Sequence, residues 1–185
     1  MQATGYKTEV YVHRMKTREL LENYRNPQDF LEACQLCLNY GKVWSCPPDL
    51  PDAYGYLEPY EQTFVIAVKV VYTPETLAQV KTSADAEQVR QETYERVKKQ
   101  LLLTLLNLEK ELKKGKCLGA GRCILCGHCT REDGKPCRYP ERRRYSVTGF
   151  GFDFTKILQG IFKVPLLWNS EGLPEYDVAV AMFAI

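Results

Sequence analysis

The residues that can do chemistry are the eight cysteines, and their spacing is uneven. Cys123-Ile-Leu-Cys126-Gly-His-Cys129 places three thiols two residues apart, and Cys137 follows. Three thiolates in that register can wrap one corner of an iron–sulfur cubane, each meeting a different iron, whereas they crowd a single tetrahedral ion. The other group is Cys34-Gln-Leu-Cys37 and, further on, Cys46-Pro47-Pro48, where a proline directly after a ligand stiffens the loop. Three thiols are one short of a set, and Cys117 is the obvious donor, although Cys137 could serve if the ligands cross over. The arithmetic closes as Cys34, Cys37, Cys46 and Cys117 for one [4Fe-4S] cluster, and Cys123, Cys126, Cys129 and Cys137 for a second. All eight are thus candidate cofactor and metal ligands. A cluster held by the triplet Cys34, Cys37 and Cys46 alone would leave one iron open to substrate. Zinc competes, since pairs such as Cys34/Cys37 and Cys126/Cys129 also suit four-thiolate sites.

Other chemistry is thin. The only histidines are His13, in an expected strand, and His128, between two candidate ligands, so no nucleophile–base–acid arrangement can be argued. No glycine fingerprint for a nucleotide stands between a strand and a helix, and no C-x3-C-x2-C run is present. Gly119, Gly121, Gly127 and Gly134 would let backbone N–H groups approach a cluster. Asp49 and Asp52 read as solvated turn formers. Arg138, Arg142, Arg143 and Arg144 read as a solvated positive face or a docking patch for an acidic partner. Tyr40, Tyr54, Tyr56 and Tyr60 flank the first cysteine loop and could shield it or line a pocket.

The Cys123–Cys129 run resembles the bacterial ferredoxin motif, with the closing proline displaced to Pro140. Cys34-x2-Cys37, the loop Tyr40-Gly41-Lys42…Trp44-Ser45-Cys46-Pro47-Pro48, and Cys137-Arg138-x-Pro140 resemble an uncharacterised cysteine-rich family of predicted metal-binding proteins, common in anaerobic bacteria and archaea. Gly149–Lys156 and the terminal strand are similar too, so the resemblance covers nearly the whole chain. It implies that the two loops form one metal-binding unit, and it implies no reaction.

The elements that must carry these loops can be read from periodicity. Tyr6–Arg14 alternates like an edge or half-buried strand. Lys16–Tyr24 and Gln28–Leu36 read as short helices, and the stretch from Asn39 to Pro59 as irregular. Phe64–Tyr72 is the strongest strand, apolar on both faces and therefore central. From Ala84 to Lys114 one helix of about 45 Å is expected, with a stripe of Val89, Thr93, Val97, Leu101, Leu105, Leu108 and Leu112 widened by Leu102 and Leu106. Gly115 terminates it. Phe154–Phe162 reads as a helix capped by Asp153, and Tyr176–Ile185 as a second buried strand.

The expected fold is an α/β or α+β sandwich: a small mixed sheet packed by a long helix, one domain over residues 1–185, with cysteine-rich metal-binding loops at 34–60 and 115–145 on one edge. A net charge of +2 argues against nucleic acid as a partner. No run approaches the roughly 18–20 apolar residues that span a bilayer, and the start lacks a leader's apolar core. These features point to the cytoplasm, where thiols stay reduced and close cysteine pairs favour metal over disulfides. The expected function is an iron–sulfur protein relaying electrons to a redox partner. The alternatives are an iron–sulfur enzyme acting on a small substrate through an open iron or adjacent pocket, and a structural zinc module.

Overall fold

In the computed structural model, residues 5–167 and 172–185 are described. The first four residues, on which the absence of a leader partly rested, lie outside them. Strands β1 (Tyr6–Lys16), β2 (Gln62–Tyr72), β3 (Lys116–Leu118) and β4 (Tyr176–Ala184) form one sheet in the order β1-β2-β4-β3. Every ladder is antiparallel, from Val10 opposite Val68 through Val65 opposite Met182 to Cys117 opposite Phe183. Among the described residues the one parallel pairing is an isolated bridge between Gly119 and Ser146. The interior position expected for Phe64–Tyr72 holds: β2 buries Val65 and Val70 fully, on opposite faces.

Helices cover both faces, which makes the architecture an α/β sandwich. On one face, α1 (Thr17–Asn23), α3 (Ala53–Leu57) and α7 (Phe154–Ile157) bring Leu20, Leu57 and Ile157 against Val65, Val180 and Met182. Helix α2 (Pro27–Gln35) begins on Pro27, where the missing N–H costs nothing. Asp153 caps α7 as expected, accepting from the Lys156 N–H at 2.8 Å. The chain then continues as a π-helical turn, Leu158–Phe162.

The expected long helix is two. After α4 (Pro74–Gln79), α5 (Ser83–Glu92) and α6 (Tyr94–Leu112) meet at Thr93, whose φ/ψ of −123°/−78° is not helical. The Thr93 hydroxyl donates to the Val89 carbonyl at 2.6 Å, a competition with the helix ladder that threonine is built for. The 19 residues of α6 therefore span only about 28 Å. Its buried residues are Lys98, Leu102, Leu105 and Leu106, so Leu108 and Leu112, placed in the apolar stripe by periodicity, face out. Leu102, Leu105 and Leu106 pack with Cys117, Ala181 and Phe183 on the other face of the sheet.

Candidate thiol site

The two cysteine loops, far apart in the chain, are joined through their backbones. The second loop is closed at its neck, where the Gly119 N–H donates to the Tyr145 carbonyl (2.8 Å) and the Val147 N–H to the Gly119 carbonyl (3.1 Å). The first loop attaches to that neck through the Ser146 N–H and the Ser45 carbonyl (3.1 Å). Fully buried Ser45 makes a second tie, its hydroxyl accepting from the Cys123 N–H at 2.7 Å. Arg131 completes the join. Its guanidinium donates to the carbonyls of Val43, Cys46 and Pro48 at 3.2–3.3 Å and to Asp49 at 2.6 Å. It also stacks 4.8 Å from the Trp44 ring, and the Trp44 indole donates to the Lys135 carbonyl at 3.1 Å.

Seven thiols line two cavities that share Arg122. Cys34, at the end of α2, Cys37 and Cys46 line a cavity of about 250 Å³, with Tyr40, Lys98 and Arg122. Cys123, Cys126, Cys129 and Cys137 line a space of about 20 Å³ with Arg122, Arg138 and Arg143, room for little more than one water. All eight cysteines are free thiols. Cys37 is exposed, and the Asn39 amide points at its sulfur from 3.6 Å. Burial pushes the Cys34 thiol up, with Cys37 adding to it, and pushes Cys46 to about 11 against a weaker opposing hydrogen bond from Ser45. Burial also raises Cys123.

Cys117 lines neither cavity. Pairing of β3 with β4 draws it into the core, fully buried, with its N–H donating to Glu109 Oε1 at 2.6 Å. Burial, reinforced by Glu109, drives its thiol far up. It is a packing residue, and the set Cys34, Cys37, Cys46 and Cys117 does not assemble.

Among the described residues, no three His, Cys, Asp or Glu side chains are grouped so as to hold a metal ion. This overturns the two [4Fe-4S] clusters, the zinc alternative and the iron–sulfur functions built on them, together with metal binding by the loops. The reason is local. Sequence spacing fixes only how many residues separate two thiols, whereas the distance between their sulfurs depends on the path the loop takes. The Thr130 hydroxyl donates to the Pro136 carbonyl (2.8 Å) and Arg138 to the His128 carbonyl (2.7 Å), while Cys37 turns outward.

The family comparison matches residues 21–178 to the family described as predicted metal-binding protein (DUF2284). The chain belongs to it. The description names metal, but the side chains of this DUF2284 member, as placed, do not fit an ion, and the ferredoxin-like part of the resemblance fails with the clusters. Comparisons with curated proteins and with solved structures found no match.

The arginine run is not one surface. Arg144 is buried against Glu109, to which both its Nε and Nη2 donate. Arg143 has a buried Nε without a partner among the described residues, and Arg138 ties the loop. His128 is exposed beside Asp133 (3.1 Å) and Glu132 (3.7 Å). Asp52 caps α3 through the Gly55 N–H (2.7 Å). Tyr40 lines the first cavity, as expected of a residue flanking that loop. Gly121 alone of the four loop glycines has both a positive φ (75°) and a cation against it, since a Cβ there would lie 3.6 Å from Lys98 Nζ. Sequence reasoning missed Ser45, Arg122 and Arg131 as site residues. Each lies within two positions of a cysteine, and Ser45 also stands in the Tyr40–Pro48 loop that carries the family resemblance. Lys98 carries no such signal, being one lysine among several on α6.

Proposed function

We propose that this protein acts through its thiols as a dithiol–disulfide exchange protein, with Cys37 meeting the partner and Cys34 resolving the mixed disulfide. One observation carries the reading. The Cys37 N–H donates to the Cys34 carbonyl at 3.0 Å, so the pair forms a single tight turn with Cα atoms within about 7 Å. That separation is inside the range a disulfide can bridge. Exposure and the Asn39 amide favour Cys37 as the attacking thiolate, and Cys34 waits half-buried behind it.

The chemistry balances. The Cys37 thiolate attacks one sulfur of a partner disulfide, the Cys37–partner bond forms, and the other partner sulfur leaves and takes a proton. Cys34 then attacks Cys37, releasing the second partner thiol. The protein loses two electrons and the partner disulfide becomes two thiols. The redox partner is thus a disulfide-bearing molecule, and a reducing compartment such as the cytosol suits eight free thiols. No helix among the described residues is long and apolar enough to cross a membrane. The family's description names metal and no residue, whereas the placement of these cysteines supports sulfur chemistry.

The test is equilibration in graded dithiol/disulfide buffers, followed by alkylation and mass mapping. A two-electron transition that forms a Cys34–Cys37 disulfide, and that Cys34→Ser and Cys37→Ser each abolish, is expected. Failure of that disulfide to form at any potential overturns the reading. So does anaerobically purified protein carrying stoichiometric iron, sulfide or zinc on these cysteines.

A further inference from the structure

The cavity beside Cys34, Cys37 and Cys46 is charged in a specific way. Lys98 reaches it from α6, its side chain only 10% exposed, with Nζ 2.7 Å from Glu95 Oε1. Those two charges offset each other. Arg122 is different: half-buried, at the junction of the two thiol-lined cavities, it makes no hydrogen bond or ion pair among the described residues. The hydroxyls of Ser146 and Thr148, 2.8 Å apart, line the same wall. A guanidinium presents a planar fork of donors that matches a carboxylate, and this one, facing the cavity with no protein acceptor among the described residues, is open to such a ligand.

We infer that this cavity binds a small disulfide bearing carboxylates, with Arg122 as the anchor and the Lys98–Glu95 pair and two hydroxyls as the polar wall, so that its sulfurs lie beside Cys37. The inference rests on the thiol-exchange reading and names its substrate class. At about 250 Å³ the space is below that of sites for drug-sized ligands, which points to a smaller molecule. Binding precedes the exchange already written, and the reducible group is the ligand's own disulfide, so no further reactant is needed.

Three small disulfides of different charge separate the possibilities: dithiodipropionate (anionic), hydroxyethyl disulfide (neutral) and cystamine (cationic). The rate of Cys34–Cys37 oxidation by each is divided by the rate of the same compound with dithiothreitol, which removes intrinsic reactivity. The anionic probe should be favoured over the neutral one by about tenfold at low ionic strength, and less as salt is added. In Arg122→Gln that ratio should fall to about one, and Lys98→Met should lower it as well. Arg122→Gln removes no hydrogen bond or ion pair among the described residues, so it decides the matter even where Lys98→Met does not fold. Equal normalised rates in the wild type, or a ratio that survives Arg122→Gln, overturn the anion site and leave thiol exchange standing. Oxidation by none of the three overturns the exchange reading itself.

Discussion

Glu109, Arg144 and Cys117 show how a single residue's environment decides its part. Burial pushes the Glu109 carboxyl up, but hydrogen bonds from Arg144 and from Cys117 outweigh it and hold the group below its ordinary value. A carboxyl depressed in the folded state adds stability above its unfolded value of about 4.3, and loses it as the pH falls through the folded value. Glu109→Gln should therefore cost about 3–5 kcal/mol at neutral pH, because Arg144 stays buried without a counter-charge. Urea unfolding followed from neutral to acid pH should show the wild-type and variant curves converging below about pH 4; a gap that stays constant would contradict the assignment. Nothing in the spacing of the cysteines distinguishes Cys117 from the rest. Its fate is decided by three residues of strand too short to announce themselves, Lys116–Leu118. Which cysteines share a wall was legible for the run from Cys123 to Cys137, where every member lies in one continuous loop. How near their sulfurs come was not, because Ser45 from the other loop and Thr130 and Arg131 between the cysteines set the loop's path.

At the scale of elements, the turn from α6 into β3 holds two positions with opposite expectations. Lys113 sits in the left-handed region at φ 57°, where glycine is favoured, so Lys113→Gly should stabilise by up to about 1 kcal/mol. Gly115, the expected terminator, does not end the helix, which stops at Leu112 with Lys113 as its left-handed cap; Gly115 is needed for contact instead, since a Cβ there would lie 2.3 Å from Phe183 Cζ. Gly115→Ala should destabilise by about 1–3 kcal/mol through overpacking. Thermal melts of the two variants that move in the same direction would contradict this. Strands β2 and β4 were legible because long runs of branched and aromatic residues have few alternatives. The break at Thr93 was not, since the apolar period runs straight through it and only the threonine's bond to Val89 marks the kink. Strand β1 was legible as an edge: Val10 and Val12 are 62% and 58% exposed among Lys7, Glu9 and Arg14, charges that discourage edge-to-edge pairing.

At the scale of the whole molecule, the sheet interleaves the chain. β4, from the last residues described, lies between β2 from the middle and β3, which leads into the second cysteine loop. Neither loop has a strand pair of its own to fall back on. We therefore propose that the chain unfolds as one cooperative unit: urea transitions followed by far-UV circular dichroism and by Trp44 fluorescence, in a Trp168→Phe background, should coincide. A separate, earlier Trp44 transition would show the loops melting independently. Arg131 grips its neighbours by main-chain oxygens at positions 43, 46 and 48, groups that every amino acid possesses. The clasp itself is consequently indifferent to which side chain each position carries, so that only Val43, at 4% exposure, is fixed there by its own burial. A residue such as Cys46 is free to be kept or discarded on the strength of its sulfur alone.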